Sequence, residues 1–92
     1  MIKSYKCHDT ELLKRTGKSR KFHGIERIAL RKLDMLEAVT QVETLRIPPG
    51  NHFKALGGKR AGQYSIRVNA QWRICFTWRE GHAFDVEIVD YH

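Results

Sequence analysis

Residues 64–79 read Tyr64-Ser65-Ile66-Arg67-Val68-Asn69-Ala70-Gln71-Trp72-Arg73-Ile74-Cys75-Phe76-Thr77-Trp78-Arg79, and their alternation decides the fold. Tyr64, Ile66 and Val68 share one side of an extended chain, while Ser65 and Arg67 share the other. Trp72, Ile74, Phe76 and Trp78 then oppose Arg73, Cys75, Thr77 and Arg79. This period of two is the mark of half-buried β-strands. Turning both apolar faces the same way requires an odd loop, most simply Asn69-Ala70-Gln71. Paired positions then add to 140, which puts Arg67 directly across from Arg73 on the outer face.

Downstream, Phe84, Val86 and Ile88 oppose Asp85, Glu87, Val89 and Tyr91, giving a third strand over 84–91. The same parity argument predicts a Glu80-Gly81-His82 loop, with Cys75 facing Glu87 and Arg73 facing Val89. Like charges directly across a strand pair are destabilising. Arg67 and Arg73 are tolerated together if Glu87, diagonal to Arg73, partly neutralises them. The same pair is also what a phosphate-holding surface requires.

Upstream, Pro48-Pro49-Gly50-Asn51 is predicted as a turn, because consecutive prolines cannot continue a helix. Ile25, Ile28, Ala29, Leu33, Leu36 and Val39 recur at helical spacing and predict a helix from Ile25 to about Thr40. Arg27, Arg31, Asp34 and Glu37 fall outside that stripe. Asp9 or Thr10 is suited to cap a short helix over residues 11–14, ended by Gly17. Residues 1–5 are expected to form a short strand. The predicted fold class is α+β: a short N-terminal strand, two helices, then an antiparallel β-meander, with the helices against one sheet face and a polar face opposite.

A length of 92 residues accommodates one domain, expected to span 1–92. The formal charge of +7 favours a polyanionic partner, and its distribution is uneven. Residues 1–32 hold ten basic and three acidic side chains; residues 54–79 hold Lys54, Lys59, Arg60, Arg67, Arg73 and Arg79 with no acid at all. An acid-free basic stretch is a candidate anion site, against the plainer reading of a solubilising rim. No apolar run approaches the 18 residues of a membrane span, so no membrane association is expected. Residues 8–11 bring charge where a signal peptide needs an apolar stretch, so a cytoplasmic location is expected, with Cys7 and Cys75 as free thiols. The five histidines lack zinc-ligand spacing, Gly57-Gly58 and Gly62 lack the continuation of a phosphate loop, and neither metal nor cofactor is expected.

The last strand runs into Asp90-Tyr91-His92, an acid, a phenol and an imidazole. Strict alternation puts Tyr91 on the face of Arg67 and Arg73, and Asp90 and His92 on the other. RNA cleavage by acid–base chemistry needs a base for the 2′-hydroxyl, cations for charge developing at phosphorus, and an acid for the leaving 5′-oxygen. Arg67 and Arg73 suit the cationic role. Asp90 or His92 suits proton transfer, Tyr91 suits stacking or donation to phosphate, and Lys54 and Arg60 add phosphate attraction.

The segments Pro49-Gly50-Asn51 through Leu56, Arg60 to Asn69, Gln71 to Phe76 and Val86 to His92 closely resemble HigB-type toxins, most specifically the GraT-like members, of the RelE/ParE superfamily. The resemblance implies a RelE-like microbial ribonuclease fold and a type II toxin that cleaves mRNA on the ribosome. It also implies neutralisation by a HigA-type antitoxin with a helix-turn-helix, compatible with a toxin–antitoxin heterotetramer. Carried over, the catalytic residues are Arg73, Asp90, Tyr91 and His92, with Arg60 and Arg67 as supporting, substrate-binding cations. Well-studied family members have a histidine where this chain has Lys54; an ammonium binds phosphate better than it takes a proton, leaving the base to Asp90 or His92, with His52 a further candidate. Two alternatives stay open on sequence: a ParE-like gyrase poison, and a non-catalytic RNA-binding module.

Overall fold

The structure, a computed structural model, describes residues 1–90. Four antiparallel strands lie in chain order: β1 (Lys54–Ala55), β2 (Gln63–Arg67), β3 (Trp72–Arg79) and β4 (His82–Asp90). Gln63↔Thr77 through Arg67↔Arg73 pair in the predicted register. The loop that sets it is closed by Asn69, whose Oδ1 accepts the N–H groups of Gln71 and Trp72, both at 2.8 Å. An asparagine reaching its own backbone two residues on is a standard way to lock a turn.

The second hairpin departs from expectation at its tip. Arg73↔Val89 and Cys75↔Glu87 pair as predicted, but beyond them the register shifts to Thr77↔Phe84, Trp78↔Ala83 and Arg79↔His82. The turn is thus the two residues Glu80-Gly81, at φ 52° and 81°, and His82 belongs to β4. Two consecutive positive φ values match the twist of the flanking strands, which favours the shorter turn. The extra residue is absorbed as a bulge around Asp85, at φ 53°. Asp tolerates that region better than most side chains.

The bulge also explains the N-terminus. Instead of a continuous strand, residues 1–6 make two parallel bridges to β4, Ile2↔Ala83 and Tyr5↔Val86. Ser4 sits between them: its hydroxyl accepts the Asp85 N–H at 2.9 Å and its carbonyl accepts the Val86 N–H at 3.1 Å. The ladder is interrupted where β4 buckles.

Helix α1 (His8–Thr16) starts ahead of the predicted cap. Thr10 is fully buried inside it, and its hydroxyl accepts the Ile88 N–H at 3.0 Å, so that oxygen fastens α1 to β4 rather than capping a helix. Gly17, at φ 78°, ends α1 as predicted. Helix α2 spans Glu26–Ala38; Val39 is already extended, and Ile28, on the predicted stripe, lies exposed at its edge. Ala29, Leu33 and Leu36 of α2 and Leu13 of α1 bury against Ile66, Ile74, Phe76, Val86 and Ile88 of the sheet. Phe22, from the basic connection between the helices, meets Trp72 edge-on at 5.3 Å. The 3₁₀ turn Pro49–Asn51 occupies the predicted turn, and Phe53 stacks on Tyr64 at 5.5 Å, laying the following segment along β2. No helix is long and apolar enough to cross a membrane among the described residues.

Candidate active site

The inner sheet face is consumed by the core, so chemistry falls to the outer face. Arg67 and Arg73 stand opposite one another there. Arg73 is only 7% exposed. Its Nε donates to Ser65 Oγ at 2.9 Å and its Nη2 to the His52 carbonyl at 2.6 Å. Ser65 is itself fully buried, and pairs with Lys54 on β1 and with Cys75 on β3. The guanidinium is therefore oriented from two directions before any substrate arrives. Arg67, half-buried, donates through Nε to the Asn69 carbonyl at 3.1 Å, fixing it to the turn that sets the register.

Glu87, the counter-charge the sequence offered for this pair, is engaged by two further cations. Its Oε2 lies 3.2 Å from Arg60 Nη1 and 3.8 Å from Lys6 Nζ. Arg60 ends the 3₁₀ turn Gly58–Arg60 and also donates to Gln63 at 3.0 Å, so the carboxylate is claimed by cations from outside the sheet. Beneath them, Cys75 is buried rather than presented to solvent as alternation predicts. Burial pushes its thiol pKa up, Glu87 adds to the rise, and Arg60 and Arg73 oppose it. Cys7 and Cys75 are both free thiols.

Asp90 is exposed at the end of β4, opposite Trp72, and its Oδ2 accepts from Gln71 Nε2 at 3.0 Å. The carboxylate thus stands at the same sheet end as the Arg67–Arg73 pair, tied to the loop that joins β2 and β3. Lys54 is exposed on β1. Tyr91 and His92 lie outside the described residues. His52 is not on a strand: it adopts φ 44°, its side chain is exposed, and its carbonyl rather than its imidazole meets Arg73. Sequence reasoning missed Ser65, the His52 carbonyl and Asn51. Asn51 is fully buried; its Oδ1 accepts from Lys32 at 2.6 Å, and its Nδ2 donates to the Leu45 carbonyl at 3.1 Å. The available signal was a polar residue directly after a rigid double-proline turn.

Eight of the ten cations in residues 1–32 fall within residues 14–32, which fold into the end of α1, the connection and the start of α2. Arg15, Lys18, Arg20, Arg27 and Arg31 are exposed, while Lys14 pairs with Asp34 at 3.2 Å and Lys21 with Asp9 at 4.0 Å. No group of three or more His, Cys, Asp or Glu close enough to hold a metal occurs among the described residues.

Two helices on one face of a four-stranded antiparallel sheet, with a basic outer face, define an α+β RelE-like fold. Among solved structures, a variant of YafQ from E. coli superimposes with a TM-score of 0.68 at 12% identity, over 98% of this chain and 93% of that one. YoeB in its heterotetrameric complex with YefM from Staphylococcus aureus gives 0.57 at 14% identity, over 100% and 98%. Residues 10–92 match the family described as "RelE-like toxin of type II toxin-antitoxin system HigB". The chain belongs to this family of HigB-like toxins. It is 48% identical over 62 residues to Toxin HigB-1 of Vibrio cholerae, 67% of this chain and 65% of that relative's length. It is 33% identical to Endoribonuclease HigB of Proteus vulgaris over the full length of both.

Proposed function

We propose that this protein, acting as a single domain over residues 1–92, is an endoribonuclease that cleaves mRNA on the ribosome and so inhibits translation. The observation that carries the proposal is the Arg67–Arg73 pair, facing each other across β2 and β3, with Arg73 buried and aimed by Ser65 and His52. A guanidinium oriented in advance and shielded from water stabilises charge developing on a phosphorane far better than a solvated one. In the reaction a base, Asp90 or His92, removes the 2′-hydroxyl proton; the 2′-oxygen attacks phosphorus and the P–O5′ bond breaks. An acid, His92 or Tyr91, protonates the leaving 5′-oxygen, leaving a 2′,3′-cyclic phosphate and a 5′-hydroxyl. Arg73 and Arg67 hold the non-bridging oxygens, and Lys54 and Arg60 attract neighbouring phosphates. These roles use side chains alone, without metal or cofactor.

The exposed cations between Arg15 and Arg31 suit ribosomal RNA or the acidic surface of a HigA-type helix-turn-helix antitoxin, with which a heterotetramer is the proposed assembly. The proposal includes a cytoplasmic location, which the two free cysteines support. The test compares the protein with Arg73→Ala in a translating extract, mapping mRNA 5′ ends. Cleavage by the parent and its loss in the variant are expected; intact mRNA with both, or equal cleavage by both, overturns the proposal.

A further inference from the structure

Asparagine is seldom fully buried, and where it is, its amide is normally satisfied by hydrogen bonds. Asn51 is satisfied from two directions. Oδ1 accepts from Lys32 of α2 at 2.6 Å, and Nδ2 reaches the carbonyls of Leu45 at 3.1 Å and Ile47 at 3.4 Å. Its backbone N–H donates to the Pro48 carbonyl at 2.9 Å. The next residue, His52, is held at φ 44°, a region unfavourable for side chains other than glycine, and its N–H donates to the Pro49 carbonyl at 3.1 Å. The carbonyl so turned is the one that accepts from Arg73 Nη2 at 2.6 Å.

We infer that Asn51 is a positioning residue: anchored to α2 by Lys32 and by Met35 Sδ, 3.1 Å from its Nδ2, it sets the His52 carbonyl that aims the Arg73 guanidinium at the scissile phosphate. This rests on the role given to Arg73 above. Arg73 is thus referred to two independent parts of the fold, Ser65 on its neighbouring strand and α2 through Asn51. The Ser65 bond holds the guanidinium at Nε, and the His52 carbonyl holds it at Nη2, an atom that the Ser65 bond does not reach. Misplacement of a catalytic group by about 1 Å can cost a factor of about 100.

The experiment follows the Arg73 Nε–Hε resonance and the cleavage rate at saturating ribosomes in Asn51→Ala, with Lys32→Met as a milder break in the same chain. Thr10→Val, which breaks the bond between α1 and the Ile88 N–H and leaves Asn51, Lys32 and Ser65 unaltered, serves as a control for lost stability. Asn51→Ala is expected to shift or broaden the resonance and slow cleavage about 10- to 100-fold, with the half-saturating ribosome concentration unmoved. Lys32→Met should move both in the same direction by less, and Thr10→Val should move neither at temperatures where it is folded. If Asn51→Ala does not fold, Lys32→Met decides. An unmoved resonance and rate in the folded variants, or an equal change in Thr10→Val, overturns the inference. Full cleavage by Arg73→Ala would instead overturn the reading of the site on which it rests.

Discussion

Replacing Arg73 by lysine keeps its charge and removes its geometry. In the protein the guanidinium makes two directed bonds at once, to Ser65 Oγ at 2.9 Å and to the His52 carbonyl at 2.6 Å. A lysine ammonium is a point charge at the end of a flexible stem; it can satisfy one of those oxygens while facing a phosphate, not both. Hydrogen bonds to charged groups contribute about 1.5–3 kcal/mol each. Losing one from the arrangement that faces the transition state corresponds to about a 10- to 150-fold slower reaction. The assay is single-turnover cleavage of a reporter mRNA in a translating extract, at saturating toxin, so that docking does not enter the rate. Ribosome binding, measured by co-sedimentation, should be unchanged. If Arg73→Lys cleaves within about threefold of the parent, orientation contributes little and charge alone accounts for the role.

Thr10→Val leaves the buried Ile88 N–H without its acceptor, and should cost about 2 kcal/mol, about 10 °C in melting temperature for a chain of this size. Thr10→Ser keeps the oxygen, and calorimetry showing it no more stable than the valine variant would refute that account. The raised pKa of Cys75 gives stability that is complete below the unfolded thiol value, about 8.5, and is lost as pH rises through the folded one. Urea midpoints should therefore fall above about pH 8.5, Cys75→Ala should flatten that fall, and a thiol reagent should modify half-buried Cys7 before Cys75. Reversing the charges of Arg15, Lys18, Arg20 and Arg27 should weaken ribosome association about tenfold or more and flatten its salt dependence; unchanged pelleting across salt concentrations would contradict a docking role for that surface.

The Arg67–Arg73 pairing was legible in the sequence because parity and a single asparagine-closed loop leave one register for two strongly alternating strands. The same logic failed at Glu80-Gly81. There a two-residue turn plus a bulge at Asp85 and a three-residue turn give identical pairing far from the loop, and nothing local separates them. Thr10 reads as a cap because its hydroxyl suits one; only the tertiary fold reveals that β4 takes that oxygen instead. Glu87 was assigned to the arginines it neighbours along the sheet, but Lys6 and Arg60 reach it from segments whose approach no periodicity encodes. Asn51 and the His52 carbonyl escaped for a related reason: sequence records side-chain identity, whereas Arg73 is held partly by a backbone carbonyl.

The confrontation of Arg67 with Arg73 also couples occupancy to folding. Arg67 and Arg73 occupy directly opposed positions only when β2 and β3 are paired, so a phosphodiester or carboxylate that reaches both side chains binds the folded chain and not the unfolded one. A ligand that binds only the folded form stabilises it by about 2.7 kcal/mol at a concentration 100 times its Kd. An acidic antitoxin segment laid over the pair would therefore do two things at once: block the phosphate position and protect the chain from unfolding. The melting temperature becomes a readout of what sits between the arginines, measurable without cleavage and without a ribosome.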